Sequence, residues 1–201
     1  MNNDTAAQNT EQSPQKWTLR DILADAYELL ETLGFVTVTI MLVFAFVCRL
    51  NIVDGHSMDM TLADGEYLVV SDLLYEPTAG DIVIVHKIDA SPYDAPIVKR
   101  VIATEGQTID IDFTTWTLTI DGEVVEEPYR YIADDRILTS DWSFPMTVGE
   151  NEIFVMGDNR NHSADSRTKE LGMIDKRCVV GKAYARLFPL GRFEIFKDPL
   201  R

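Results

Sequence analysis

Hydrophobic and polar positions divide the chain into two regimes. Residues 32–48 are 17 consecutive uncharged positions, among them Phe35, Val36, Val38, Ile40, Met41, Leu42, Val43, Phe44, Phe46 and Val47. A stretch that is apolar on every side has no polar face to turn to water, so the pattern predicts a membrane span. At 1.5 Å per residue it reaches about 25 Å, against a hydrocarbon layer of about 30 Å. Leu50, Ile52 and Val53 extend it if Arg49 snorkels to the interface. Upstream, Leu19, Ile22, Leu23, Ala26, Leu29, Leu30 and Leu33 recur at helical spacing behind Thr18, a capping residue. They predict an amphipathic helix that starts at residue 17 and runs into the span, a membrane unit over 17–50. Residues 1–16, rich in Asn, Gln and Thr, predict a disordered cytoplasmic tail.

Beyond the span the period shortens to that of strands. Segments 66–70, 81–86, 97–103, 108–113, 115–120, 152–156 and 179–188 are β-branched or aromatic and are punctuated by Gly, Pro or Asp. The expected fold is mainly β: an N-terminal transmembrane helix, then an antiparallel β domain over residues 51–201. Trp116, Leu118 and Ile120 alternate with Thr115, Thr117 and Thr119. Asp121-Gly122 then supplies a tight turn that returns the chain through Val124 and Val125. Residues 123–150 beyond the turn, weak in periodicity and rich in charge, are read as an insertion without an assigned role.

Composition narrows the function. Eighteen Lys and Arg against 33 Asp and Glu give a net charge of −15, the wrong sign for neutralising phosphates, so nucleic acid is excluded as a first reading. Two cysteines, Cys48 and Cys178, make neither a disulfide framework nor a zinc module, and the acidic loop lacks the spacing of a calcium site. A cleaved secretory signal fits badly: the apolar run exceeds the usual length of about 7–15 residues, an acidic stretch precedes it, and no small-x-small site ends it. Lys16 and Arg20 before the span against Arg49 after it favour a cytoplasmic N-terminus.

Three separated segments carry candidate chemistry. They are Gly55-His56-Ser57-Met58-Asp59-Met60-Thr61-Leu62, Val98-Lys99-Arg100-Val101-Ile102-Ala103, and the polar run from Gly157 through Asp158, Ser163 and Asp165 to Arg167. Taken singly, each reads as a turn, a strand edge or a solvated loop. Together they supply a serine hydroxyl, a lysine flanked by apolar residues, and polar groups to aim it. A lysine near its usual pKa of about 10.4 is almost wholly charged at pH 7, and burial lowers that value by up to about 3–5 units. The neutral amine is then a competent base for a serine hydroxyl, which is a weak nucleophile without one.

In combination these segments resemble the boxes of bacterial type I signal peptidases, the single-anchor Ser-Lys type. That family carries Ser-Met-x-Pro-Thr-Leu, Lys-Arg-Val and Gly-Asp-Asn-x-x-x-Ser-x-Asp-Ser-Arg. This chain has Ser57 to Leu62, Lys99-Arg100-Val101 and Gly157 to Arg167 in the same order, with Gly80-Asp81 and Gly181-Lys182-Ala183 as further matches. The resemblance implies Ser57 as nucleophile, Lys99 as general base and Ser163 as the group that orients the amine. Asp158, Asp165 and Arg167 become supporting residues, and the Ser57 amide an oxyanion donor. Gly55 stands where some members place a serine donor. Met58, Leu62, Val53 and Val98 fall where the family lines its substrate pockets.

The implied activity is removal of signal peptides from secretory preproteins after a small residue, at a cell membrane with the catalytic domain outside. Its partners are preproteins with small-x-small sites and the lipid bilayer; it uses no metal or organic cofactor. One departure is plain: Met60 stands in place of the family's proline, so the fixed φ of that turn is lost. Three alternatives remain on the sequence. A Ser-His protease would use His86 or His162, but the base box holds Lys99. A repressor-type autoprotease would lack a span and carry a DNA-binding domain. A signal-peptidase-like assembly factor, as in pilus assembly, would typically have lost the dyad.

Overall fold

The computed structural model describes residues 18–87, 95–133 and 140–197. The expected tail over 1–16 lies outside them. Helix α1 runs over Leu19–Phe46. Its start is a reciprocal capping box: the Asp21 amide donates to Thr18 Oγ1 (3.3 Å), while Asp21 Oδ2 accepts from the Thr18 amide (2.9 Å) and hydroxyl (2.6 Å). Thr37 and Thr39, the hydroxyls of the apolar stretch, donate back to the carbonyls of Leu33 and Phe35 at 2.8 Å, so neither needs water. By length and composition α1 suffices to cross a membrane.

The helix stops at Phe46, short of the expected end of the span at 48, and Leu50, Ile52 and Val53 do not extend it. Arg49–Ile52 is instead strand β1, paired antiparallel with β2 (Tyr67–Ser71). Backbone groups that would continue a helix find partners in a sheet edge, and the Ser71 hydroxyl takes the Val47 carbonyl as the chain leaves the helix.

The remaining strands follow the predicted segments, with additions. They are β3 (Ile82–Val85), β4 (Ile97–Thr104), β5 (Thr108–Asp112), β6 (Thr117–Ile120) and β7 (Glu123–Val124). Then come β8 (Met146–Thr147), β9 (Glu152–Met156), β10 (Ile174–Asp175), β11 (Val179–Phe188) and β12 (Glu194–Ile195). An eight-stranded sheet has the order β1-β2-β11-β3-β4-β9-β10, with β12 also on β11; a four-stranded sheet has the order β7-β6-β5-β8. Every pairing within them is antiparallel.

The Asp121-Gly122 turn forms as expected. Both residues take positive φ (53° and 86°), the geometry whose twist matches a two-residue hairpin, and Ile120 pairs with Glu123. Strand β6 begins two residues later than expected because the Asp112 carboxylate gathers the Thr114 amide (2.8 Å) and the Thr115 hydroxyl (2.9 Å) into a turn. Strand β7 is the expected return of the Asp121-Gly122 hairpin, and the segment read as an insertion adds β8, the opposite edge of the small sheet.

Three apolar clusters result. One joins Ile109, Ile111 and Leu118 of the small sheet to Ile102, Phe154 and Met156 of the large one. The other two split β3 by parity: Ile82 and Ile84 pack with Met58 and Leu62, whereas Val83 and Val85 pack with Val101, Val155 and Leu171. Strand β3 is thus buried on both faces, which is why its sequence is an unbroken Ile-Val-Ile-Val run.

Candidate active site

Ser57 sits on a tight turn anchored from several sides. Before it, Val53 exchanges backbone hydrogen bonds with Glu66 and Gly65 at 2.9 Å, and the Gly55 amide, at φ 90°, donates to Asp64 (2.8 Å). After it, the Thr61 and Leu62 amides return to the Met58 carbonyl at 3.1 and 2.8 Å. Met58 and Leu62 are buried in the core and hold the turn from beneath. Arg186 donates to the Thr61 carbonyl at 2.9 Å and to Glu66 at 3.0 Å.

Lys99, on β4, reaches this turn. Its Nζ donates to Ser57 Oγ at 2.6 Å and to the Val98 carbonyl at 3.1 Å, and the residue is 4% exposed. Burial lowers the amine to about 8, with the Arg167 charge assisting and the Asp165 and Asp158 carboxylates opposing. About one lysine in ten is then neutral at pH 7, against one in a few thousand for an exposed lysine. The pair therefore places a usable base on a hydroxyl.

The Gly157–Arg167 segment braces both. Asp158, fully buried, accepts Arg100 Nε (2.8 Å) and Nη2 (2.6 Å) and also the Thr61 hydroxyl (2.6 Å). One carboxylate thus ties the residue after Lys99 to the Ser57 turn. Asp165 binds Arg167 Nε and Nη2, each at 2.7 Å, and accepts the Gly157 amide at 3.0 Å. Burial pushes its carboxyl up, but the guanidinium and the amide outweigh that and hold it below the usual range. Gly157 has no room for a side chain: a Cβ there would lie 2.4 Å from the Ser57 carbonyl oxygen and 2.3 Å from Ser163 Oγ.

Several expectations change on this geometry. Ser163 does not hydrogen-bond Lys99. Its Oγ lies beside the Asp165 carboxylate, whose charged form it favours, but makes no hydrogen bond of ordinary geometry among the described residues. Besides Ser57 Oγ, the acceptor of Lys99 Nζ among the described residues is the Val98 carbonyl. Met58, Leu62, Val53 and Val98 form the core beneath the turn rather than an open lining, none being more than 9% exposed. His56 faces Asp59 at 3.2 Å within the turn. Met60 is 72% exposed with φ 75°, a value proline cannot take. The turn therefore has a different hand from one built on proline.

The sequence reading missed other supports. Glu127 forms a double ion-pair contact with Arg160, and the backbones of Tyr131, Asp158 and Arg160 bond together at 2.8 and 2.9 Å. The Arg100 guanidinium lies 4.0 Å over the Tyr129 ring. The supposed insertion is therefore a brace for the site. Asp81 gathers the Tyr75 (2.8 Å) and Thr78 (2.9 Å) hydroxyls and Lys182. Among the described residues no group of three His, Cys, Asp or Glu is placed to hold a metal ion.

A half-buried serine on a turn, met by a buried strand lysine among paired arginines and carboxylates, has the form of a serine peptidase site, and sequence comparison supplies the family. Residues 26–188 match the family model described as signal peptidase, peptidase S26. A signal peptidase I of Bacillus licheniformis is 38% identical over 174 residues, covering 81% of this chain and 89% of its own. A probable signal peptidase I-1 of Synechocystis is 32% identical, over 74% of this chain and 75% of its own. A crystal structure of a signal peptidase I from Enterococcus faecalis is 29% identical, covering 54% of this chain and 97% of its own with a TM-score of 0.42. The chain belongs to the signal peptidase family of serine peptidases, peptidase S26.

Proposed function

We propose that this protein is a membrane-anchored endopeptidase that removes N-terminal signal peptides from exported preproteins, with Ser57 as nucleophile and Lys99 as general base. The observation that carries this reading is the 2.6 Å contact between Lys99 Nζ and Ser57 Oγ, made by a buried lysine whose pKa has fallen to about 8. The neutral amine takes the hydroxyl proton as Oγ adds to the carbonyl carbon of the scissile bond. The resulting oxyanion is met by the Ser57 amide, a contact of a kind that contributes on the order of 3 kcal/mol. Lys99 then gives its proton to the leaving amine as the C–N bond breaks. In the second half it draws a proton from water, which attacks the acyl ester and returns Ser57 as a hydroxyl. Asp158, Asp165 and Arg167 hold the loop that supports these two groups.

The rest of the reading concerns place and substrate. We assign α1 as the anchor, with the N-terminus cytoplasmic and the β domain outside, on the balance of Lys16 and Arg20 against Arg49. Support for contact with a bilayer comes from neighbouring strands: Ile52, Tyr67 and Phe188 pair across β1, β2 and β11, and all three are exposed, as is Leu190 beyond them. The substrate is a preprotein with a small-x-small cleavage site, laid down as an added strand.

The test is cleavage of a purified preprotein by the detergent-solubilised chain, read by mass. Wild type is expected to cut at one small-x-small site, and Ser57→Ala and Lys99→Ala to lose turnover while still folded. The rate of wild type should rise with pH through about 8 as Lys99 loses its proton. Activity surviving Lys99→Ala would overturn the base. Failure of folded wild type on several preproteins would favour the assembly-factor reading.

A further inference from the structure

The peptide group between His56 and Ser57 is held by a residue to which the mechanism above gives no part. In a trans peptide the carbonyl oxygen of one residue and the N–H of the next lie in one plane and point in opposite directions. Whatever fixes the His56 carbonyl therefore also aims the Ser57 N–H. Asn159 does this with its side chain: Nδ2 donates to the His56 oxygen at 3.0 Å, joined by the Asp59 amide at 3.2 Å. Its own backbone amide donates to the Ser57 oxygen at 3.0 Å, which fixes the following peptide as well. Both peptide planes beside the nucleophile are thus gripped by one residue.

Two more observations show what this grip serves. Among the described residues the Ser57 N–H donates to no acceptor, so it is held without being consumed. Asn159 is itself 3% exposed, and among the described residues its Oδ1 is buried without a hydrogen-bond partner, so the amide group meets the rest of the site through its Nδ2 donor. The neighbouring Asp158 is locked to Arg100, and Tyr131 pairs with Asn159 through the backbone, so the grip has a rigid base.

We infer that Asn159 is a positioning residue that aims the Ser57 amide at the oxyanion of the transition state by pinning the His56–Ser57 peptide plane. The inference rests on Ser57 being the nucleophile. A donor that meets charge only as it develops changes kcat and leaves ground-state binding alone.

The experiment compares full-length, detergent-solubilised wild type, Asn159→Ala, the near-isosteric Asn159→Asp and Ser57→Ala. Both Asn159 variants keep the backbone amide but lose the side-chain donor. They should lower kcat by about 10- to 100-fold with KM within about twofold. The midpoint of the pH–rate profile, set by Lys99, should not move in Asn159→Ala, whereas the added carboxylate of Asn159→Asp should shift it upward. A substrate-like peptide aldehyde, which forms a tetrahedral adduct with a serine hydroxyl, should lose affinity in step with kcat, while a non-cleavable peptide should bind as before. Asn159→Asp, which keeps the side-chain volume, decides the matter if Asn159→Ala does not fold. Cleavage surviving in Ser57→Ala overturns the nucleophile and this inference together. Loss in Ser57→Ala with kcat near wild type in the folded Asn159 variants overturns this inference alone, as does a kcat loss that leaves aldehyde affinity unchanged.

Discussion

The four-stranded sheet and the nucleophile turn use carboxylates in opposite ways. On β5, Asp110 and Asp112 face water while Ile109 and Ile111 face the core; Asp112 spends an oxygen on the local turn amide of Thr114, and Asp121 accepts the Thr108 amide at the start of β5. Around Ser57, by contrast, Asp158, Asp165, Glu127 and Glu66 are buried, and each meets an arginine. The first arrangement is what burial of apolar area requires, and its parts are interchangeable in kind. The second is no efficient route to stability, because desolvation of two charges offsets much of their attraction. What it provides is direction: a bidentate arginine has one good geometry, and Asp158 uses it to join the strand of Lys99 to the turn of Ser57.

This contrast can be broken at its strongest point first. Asp158→Ala leaves Arg100 buried without its partner and frees Thr61, so a loss of about 3–5 kcal/mol in chemical unfolding is expected, together with loss of preprotein cleavage. Leu118→Ala removes a fully packed side chain from the small sheet. It should cost about 2–4 kcal/mol, yet leave kcat per folded molecule near wild type. If Leu118→Ala lowers kcat as much as it lowers stability, the two regions are not separable in the way described.

Lys99→Met sharpens the comparison from the other side, with the smallest effect and the opposite sign. The folded protein holds the Lys99 amine near 8, below its unfolded value of 10.5, so the charged lysine weakens the fold fully below pH 8 and not at all above about 10.5. The methionine variant should be inactive but more stable at pH 7, by about 1–3 kcal/mol, and its advantage should shrink as pH rises through that window. Denaturant midpoints at pH 7 and pH 10 would show it; a destabilised variant at pH 7 would mean that the lysine contributes more through its hydrogen bonds than it loses by burial.

Much of the β domain was legible because its strands obey simple periods. The alternation through Leu118 and Ile120 and the Asp-Gly turn are local signals that the structure keeps, although Trp116 falls in the turn before the strand. Strand β1 was not legible: Leu50, Ile52 and Val53 are apolar enough to continue the span, and only pairing with the distant Tyr67–Ser71 strand makes them sheet. The site was legible as three segments, but not the way they are held. Glu127, Tyr129 and Tyr131 lie in a stretch of weak periodicity because their partners are distant, the loop near Asp158 for Glu127 and Tyr131 and Arg100 on β4 for Tyr129, and such partners impose no period. Arg100 and Arg160 read as surface charges, since nothing in a sequence marks which arginines will be paired in the dark. The Val98 carbonyl that accepts from Lys99 could not be read from the sequence, because it is an atom that every residue carries.

The left-handed backbone at Met60 bears on the history of the chain. A turn at φ 75° and one built on proline near φ −65° are separate routes past the same serine, not stronger and weaker versions of one route. Exchanging Met60 for the proline of the resembling box would not restore a lost rigidity; it would demand a different path for Ser57, Asp59 and Thr61 at once. Residues swapped between relatives at this position therefore carry their meaning only together with the backbone around them.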